Sequence, residues 1–347
     1  MRPIHLSQRM FTRYWRNYPW FLQLILFMLM VFIFMSFSTY LVLVLVPKIM
    51  GVKIADIAGL SGHSSFQVIR ATLVAVAISH AGRFAIPALL FAVFVHPGAR
   101  EYLGLRAPGK AIHWVLVTGI MLGLIPLLLF GENWTIQHLH FGKWADDMQQ
   151  TGSSQVNAFL KLSSGPDLIS LLAVLALLPA FGEELVFRGV LLRLFHRKIV
   201  SSLPLLEING KQIQPDTQRT MVLPVIGTAL IFALIHFNPY GFVYIFIAGC
   251  VLALIYFLTG SILCSMWGHF LYNGTQILTI FLMEKSKSGS ATAVNENLPI
   301  WLPFIGLIIF ATSFYLLVSQ QTPLPGNWSN DFSKEESQQM LDESTNF

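Results

Sequence analysis

Two adjacent carboxylates and an arginine interrupt an apolar stretch in the middle of the chain. Glu183, Glu184 and Arg188 fall within or beside the apolar runs 168–181 and 186–195, so they lie at or near bilayer depth if the stretch spans a membrane. An ionisable side chain at that depth costs roughly 2.5–3.5 kcal/mol. Each of the three residues therefore needs a partner or a function.

Helical geometry gives the three residues different roles. Glu184 and Arg188 are four apart, so they share a face and can pair, whereas Glu183 is turned about 100° away from Glu184. An unpaired carboxylate in low-dielectric surroundings can serve as a general base near neutral pH. A structural ion pair, with a glutamate that faces a water-filled cavity, is the alternative interpretation.

Further polar residues interrupt two later apolar runs. His236 follows Phe232 by one turn, and His269 precedes Asn273 by four residues. Taken singly, such residues more often make hydrogen bonds between membrane helices. Because buried polar groups must be satisfied, Glu183 and these three polar residues are predicted to satisfy one another around a water or a metal.

The composition is that of a polytopic membrane protein. Of 347 residues, 54% are hydrophobic and only 11% are charged. The two cysteines lie in apolar runs, which excludes a disulfide framework and a cysteine-rich metal site. The net charge of +5 requires no nucleic acid as a partner, because the basic residues gather in particular loops.

Apolar runs long enough to span a bilayer need about 20 residues. They predict an all-α integral membrane bundle of about eight transmembrane helices, near 21–46, 68–95, 112–130, 168–195, 221–237, 242–258, 262–282 and 298–318. We divide the chain into an N-terminal membrane region (1–166), a core that holds the polar motifs (167–284), a last transmembrane helix (285–318) and a tail (319–347). The tail is acidic and rich in Ser and Gln, so we expect it to be disordered.

Basic residues predict the orientation of these helices. With the N-terminus in the cytoplasm, about twice as many lysines and arginines face the cytoplasm as face the other side. Both termini are therefore predicted to be cytoplasmic, and the first apolar run is interpreted as a retained helix rather than a signal peptide.

The second predicted helix carries a polar pair, His80 and Arg83, three residues apart on one face. The pair could line a cavity or approach a lipid headgroup. We favour the simpler interpretation, in which the two side chains snorkel or are bonded within the bundle.

The depths of two motifs conflict at first sight. His236 lies about 22 Å along its helix from Met221, toward the outer leaflet, whereas Glu183 falls in the cytoplasmic half of its own span. Two solutions stay open. Either the fifth helix begins below the membrane surface, bent near Pro224, or the fourth continues inward past Phe195.

Three motifs occur together in this chain: Glu-Glu-x-x-x-Arg from Glu183, Phe-x-x-x-His from Phe232, and His-x-x-x-Asn from His269. In this order they resemble the CPBP-type intramembrane proteases, which include type II CAAX prenyl endopeptidases and bacteriocin-processing and immunity proteins. The resemblance covers roughly 168–282, about a third of the chain. Elsewhere the likeness is one of hydropathy alone.

This resemblance implies an endopeptidase whose site is assembled from the fourth, fifth and seventh spans. It implies that Glu183 is the catalytic carboxylate and that His236, His269 and Asn273 position the attacking water and stabilise the oxyanion. The residues that it implies are supporting are Glu184, Arg188 and Phe232. The substrate would be a membrane-embedded or lipidated peptide or protein, and a bacterial inner membrane is the expected location.

The role of a metal stays open at this point. His236 and His269 with a carboxylate and an open position would suit a catalytic zinc, which lowers the pKa of bound water. No His-Glu-x-x-His helix is present, and one glutamate cannot easily be both ligand and base. A metal-free mechanism based on Glu183 is the other possibility.

Two other classes of function compete with proteolysis. A non-proteolytic membrane scaffold or immunity protein could keep the same fold and bind a partner through the same cavity. A transporter could use an intramembrane carboxylate to relay protons, although no internal repeat is evident.

Overall fold

We describe the protein from a computed structural model, for residues 15, 18–96, 98–162, 164–202, 206–208, 211–213, 220–286, 299–324 and 328. Helices dominate these residues and form an all-α membrane bundle. The helices, in chain order, are α1 (Trp20–Met50), α2 (Ile54–Ala58), α3 (Phe66–Val95), α4 (Ala99–Tyr102), α5 (Ile112–His138), α6 (Lys143–Leu160), α7 (165–202), α8 (Val222–Ile235), α9 (Phe242–Thr259), α10 (Ile262–Ser286) and α11 (Trp301–Ser319).

Each of the eight predicted spans corresponds to a helix. Within the described residues, six helices are long and apolar enough to cross a membrane: α1, α3, α5, α7, α9 and α11. Helix α8 is shorter, with 14 residues, and α10 carries polar residues among its apolar ones. The polytopic membrane bundle is therefore confirmed, whereas the number eight stays a prediction.

The connectors hold structure that hydropathy alone does not show. Residues 143–160 form α6, an amphipathic helix with few buried side chains. A short antiparallel hairpin follows α7 and pairs β1 (Leu206–Ile208) with β2 (Lys211–Ile213). Both elements lie outside the spanning helices.

The extent of α7 bears on the two depths predicted for Glu183 and His236. The helix continues past Phe195 to Ser202, so about 28 Å of helix follow Glu183 at 1.5 Å per residue. Helix α8 begins at Val222, about 21 Å before His236. The continuation past Phe195 agrees with the second solution, and the depth of the motif in the membrane stays a prediction.

Close helix contacts hold the bundle together where glycines face neighbouring backbones. A Cβ atom at Gly123 of α5 would lie 2.6 Å from the carbonyl oxygen of Gly306 in α11 and 2.5 Å from the amide nitrogen of Phe310. Small residues at such crossings let membrane helices approach and gain van der Waals contact. This crossing fixes the last helix against the centre of the bundle.

The tail that we expected to be disordered begins with an ordered segment. The backbone amides of Thr322 and Leu324 donate to the carbonyls of Leu258 and Phe257, over 2.8 and 3.1 Å. Trp328 is only 2% exposed, and its ring lies edge-on to Tyr256. For these residues the expectation of disorder is wrong, because apolar side chains anchor the segment across the end of α9. The remaining tail residues lie outside the described part.

Candidate active site

The regular α-helical geometry is interrupted at two places that border the polar motifs. A π-helical segment, Leu185–Leu191, begins directly after Glu184 in α7, and another, Ala81–Ala85, begins directly after His80 in α3. Single-turn π-helical segments inside α-helices occur frequently at functional sites, because they shift side chains around the helix axis. Both interruptions lie where α3 and α7 meet.

Glycine 182 permits this meeting of α3 and α7. A Cβ atom at Gly182 would lie 3.1 Å from the Cβ of Phe84 and 3.4 Å from the ring of His80. A larger residue at Gly182 would require α3 to shift by a few tenths of an ångström. The residue before the two glutamates therefore brings the His80 ring to the Glu183 carboxylate.

Glu183 lies at the centre of a ring of imidazoles. Its side chain is only 9% exposed, and three Nε2 atoms surround the carboxylate: His80 at 3.7 Å from Oε1, and His236 and His269 each at 3.9 Å from Oε2. These distances exceed the 2.7–3.2 Å of a direct hydrogen bond. Glu183 Oε2 and His80 Nε2 are buried and lack a hydrogen-bond partner within the described residues.

Glu184 is bound far more tightly than its neighbour. Its Oε1 accepts from Arg188 over 2.7 Å and lies 2.9 Å from His269 Nδ1, while its Oε2 accepts from the Ser265 hydroxyl over 2.5 Å. Arg188 also donates to the carbonyl of Gly249 over 2.8 Å. Since Glu184 is fully buried and both of its oxygens are engaged, it joins α7 to α10, and Arg188 extends the link to α9.

His236, directly after α8, and His269, in α10, differ in the partner of their Nδ1 atoms. His236 Nδ1 lies 2.6 Å from the carbonyl oxygen of Phe232, which can only accept, so Nδ1 carries the hydrogen. His269 Nδ1 faces the Glu184 carboxylate instead. A carbonyl favours a neutral imidazole whose Nε2 accepts, whereas a carboxylate also stabilises an imidazolium whose Nε2 donates.

Phe232 packs against these rings and against the arginine. Its ring lies 4.6 Å from the His236 ring, 5.9 Å from the His269 ring and 5.1 Å from the Arg188 guanidinium carbon. A cation over an aromatic face is attracted to the ring, and the ring also excludes water from the ion pair. Phe232 is buried and thus packs within the wall of the site.

The described residues that line this site match a known family. Residues 165–275 match the model described as Type II CAAX prenyl endopeptidase Rce1-like. The centre of this chain is similar to the type II CAAX prenyl endopeptidases. The match spans roughly a third of the chain and coincides almost entirely with the predicted core at 167–284. Searches of the curated proteins and of the solved structures give no significant match.

The Rce1-like region contains every site residue that the sequence motifs predicted. The structure brings Glu183, Glu184, His236 and His269 together. Asn273 follows His269 by one turn in α10 and is half-buried. Within the described residues it makes no hydrogen bond to Glu183 or to either histidine, so its part in the site stays a prediction.

His80 lies outside the Rce1-like region, and its position adds a contact with the predicted catalytic carboxylate. We favoured a pair that snorkels or is bonded within the bundle; His80 Nε2 faces Glu183 within the bundle, Arg83 is exposed, and both residues also line a cavity, which is the alternative. Sequence reasoning could not find this contact, because α3 and α7 are about a hundred residues apart along the chain. The sequence did hold one indication of a role for His80: a polar side chain in a spanning helix is costly without a function.

The donor atoms around Glu183 have the right chemistry for zinc but do not have the right spacing. Zinc bonds of 2.0–2.2 Å in a tetrahedron place two ligand atoms about 3.4 Å apart. The Nε2 atoms of His236 and His269 lie 3.9 Å from Glu183 Oε2. No group of three or more His, Cys, Asp or Glu side chains in the described part of the chain is arranged to hold a metal ion.

The distances around Glu183 suit a bridging water better than direct hydrogen bonds. Polar atoms that face each other across more than 3.5 Å are frequently bridged by water, and buried polar atoms rarely stay unsatisfied. Glu183 Oε2 and His236 Nε2 are both acceptors in the state described above, so the bridging group must donate to both. Water meets this requirement with its two hydrogens.

Proposed function

We propose that this protein is an intramembrane endopeptidase that hydrolyses a peptide bond of a membrane-associated or lipidated substrate. The Rce1-like match supports a CAAX-type endopeptidase in general terms. The observation that carries the proposal is the unpaired, buried Glu183 carboxylate with three imidazole nitrogens at 3.7–3.9 Å. The cytoplasmic placement of both termini and a bacterial inner membrane belong to the same proposal.

The charges of the buried cluster sum to zero when one imidazole is protonated. Glu183 and Glu184 carry two negative charges if both are ionised, and Arg188 supplies one positive charge. A buried cluster is least costly when it is neutral, so one imidazole must then be protonated. His269 is the best placed, because its Nδ1 already faces Glu184. With the proton on His269, Glu183 is free to act as a base.

The hydrolytic step then follows from these protonation states. Glu183 Oε2 and His236 Nε2 accept the two hydrogens of the water and orient its oxygen toward the scissile carbonyl. Glu183 takes one proton as the water oxygen attacks the carbonyl carbon. The negative charge that develops on the carbonyl oxygen is stabilised by the His269 imidazolium and by the Asn273 amide.

Collapse of the tetrahedral intermediate returns the proton. The carbon–nitrogen bond breaks, and Glu183 gives its proton to the departing amine, which leaves a new carboxyl group and a new amino group. No side chain forms a covalent bond to the substrate. Glu184 and Arg188 take no proton in this scheme. Their roles are to position His269 and to supply the charge balance of the cluster.

The experiment that tests the function is cleavage by purified protein in liposomes. A prenylated CAAX peptide and its unprenylated counterpart are incubated with wild-type protein and with a Glu183→Gln/His269→Ala double variant, and products are identified by mass spectrometry. We expect one new cleavage site that depends on the wild-type protein. Equal cleavage by the double variant would mean a contaminating protease. A wild-type protein that binds a partner or moves ions without cleaving any peptide would favour the scaffold or transporter instead.

A further inference from the structure

The turn that directly follows His236, residues 237–241, has an unusual backbone conformation. Phe237 has a φ of 47°, and no other non-glycine residue in the described part of the chain has a positive φ. A bulky residue rarely adopts this left-handed region, in which glycine is the usual residue after a helix. Because Phe237 is 73% exposed, its own packing does not hold the conformation. The contacts of the residues that follow must therefore hold it.

Two carboxylates from outside the Rce1-like region bind this turn. Glu132, near the end of α5, accepts a hydrogen bond from the side-chain amide of Asn238 over 3.1 Å. The Oδ1 atom of Asn238 in turn accepts from the backbone amide of Gly241 over 2.8 Å. Asp146 of α6 accepts from the Tyr240 hydroxyl. The turn is thus held from α5 and α6, which both precede the matched residues 165–275.

Close packing fixes Glu132 against the turn. A Cβ atom at Gly241 would lie 2.7 Å from Glu132 Oε1, so the absence of a side chain there admits the carboxylate. On the neighbouring turn of α5, Thr135 Oγ1 lies 2.6 Å from the Tyr244 hydroxyl oxygen in α9. A Cβ atom at Gly131 would overlap the Tyr244 ring. Helix α5 therefore presents Glu132 from a backbone that is itself packed against the start of α9.

We propose that Glu132 is a positioning residue for the reaction: through Asn238 it holds the turn that keeps His236 beside Glu183. His236 ends its helix with a long backbone hydrogen bond, 3.3 Å from its amide to the carbonyl of Ala233. If the turn relaxes, the chain leaves the helix in another direction and the His236 ring moves with it. The water between Glu183 and His236 then loses one of its two acceptors. This inference rests on the proposed endopeptidase function, and Glu132 itself does not touch the substrate.

The pairing is tested by exchanging its donor and acceptor. Asn238→Asp places a second carboxylate against Glu132, and kcat for the prenylated peptide should fall by about 10- to 100-fold. Adding Glu132→Gln should restore most of kcat, because the glutamine amide can donate to one oxygen of the new carboxylate while the other still accepts from Gly241. KM should change by less than about threefold throughout, since no substrate contact is altered. Asn133→Ala, at the exposed next residue of α5, is the control.

Hydrogen exchange measures the hold on the turn without any cleavage. In nanodiscs, Glu132→Ala should raise the exchange rates of the Phe237 and Gly241 amides about tenfold, because a hydrogen bond to a carboxylate is lost. Peptides from α10 should exchange as in wild-type protein, which separates local loosening from global unfolding. The comparison is repeated between Asn238→Asp and its double variant with Glu132→Gln, which covers the case in which Glu132→Ala does not fold.

Two results would overturn the proposal. One is an unchanged exchange rate across the turn when Glu132 is removed. The other is a kcat for Glu132→Gln/Asn238→Asp that is no higher than the kcat for Asn238→Asp alone. A wild-type protein that cleaves no peptide contradicts the proposed function instead, and the exchange rates then decide by themselves whether Glu132 holds the turn.

Discussion

His269 Nδ1 lies 2.9 Å from Oε1 of Glu184, and this contact joins the structural ion pair of α7 to the ring that faces the catalytic carboxylate. The same Glu184 oxygen accepts from Arg188 over 2.7 Å. Adjacent glutamates thus differ sharply in environment: Glu184 is saturated with donors, while Glu183 has none at hydrogen-bond distance. The neighbours of the two carboxylates decide which one holds the fold together and which one is free to react.

Removing the charge of Glu184 should destabilise the bundle as well as the reaction. In Glu184→Gln, Arg188 stays buried without its carboxylate, and breaking a buried pair in this way costs about 3–5 kcal/mol. We expect a lower unfolding temperature in detergent together with a large loss of cleavage. Glu183→Gln, which removes no ion pair at hydrogen-bond distance, is the matched control and should unfold near the wild-type temperature. Equal stability of the two variants would contradict the structural role of Glu184.

His80 should contribute to catalysis although it lies outside the matched region. In His80→Gln the third imidazole nitrogen at Glu183 is lost, and misplacing a catalytic group typically costs about 10²-fold. We expect kcat for the prenylated peptide to fall by about 10- to 100-fold, without loss of folded protein. His138→Gln, an exposed position in α5, should leave kcat unchanged. Wild-type kcat in His80→Gln would show that the contact is only structural.

Cleavage should not require a tightly bound zinc ion. The Nε2 atoms of His236 and His269 are too far from Glu183 Oε2 for a tetrahedral zinc site. We expect activity to survive dialysis against a chelator, and elemental analysis to find far less than one zinc per chain. Near-stoichiometric zinc that is lost in both His236→Ala and His269→Ala would instead establish a shared metal site and require these side chains to move closer together.

The ordered start of the C-terminal tail should stabilise the protein. Trp328 is 2% exposed and lies 4.9 Å from the Arg193 guanidinium carbon. Truncating a buried tryptophan to alanine costs about 3–5 kcal/mol, so Trp328→Ala should lower the unfolding temperature in detergent. Trp301→Ala, at a tryptophan that is 56% exposed, is the control and should have little effect. An unchanged unfolding temperature in Trp328→Ala would mean that the tail segment is not part of the stable fold.

The sequence predicted the spans well because the bilayer imposes a minimum length of apolar residues. It predicted their ends less well, because α5 and α7 continue into polar residues that hydropathy assigns to loops. Helix α6 was missed for a related reason: its apolar residues lie on one face and are too few to register as a span. The tail was misjudged because one tryptophan and one leucine anchor a segment whose average composition is polar.

The candidate site was predictable only where its residues form local motifs. Spacing of four residues gave the Glu184–Arg188 pair and the orientation of His236 against Phe232. The requirement that buried polar groups find partners brought Glu183 together with His236 and His269. His80 has no such motif, since its partner depends on how closely α3 and α7 approach at Gly182. That distance is a property of the folded bundle.

The central claim is that Glu183 activates the water that hydrolyses the substrate. The most direct measurement is the rate of cleavage of the prenylated peptide by Glu183→Gln protein in liposomes, compared with wild-type protein at the same folded concentration. Loss of a general base predicts a rate at least about 10²-fold lower, with an unfolding temperature near that of wild type. A Glu183→Gln protein that cleaves the same bond at a rate close to that of wild type would contradict the account.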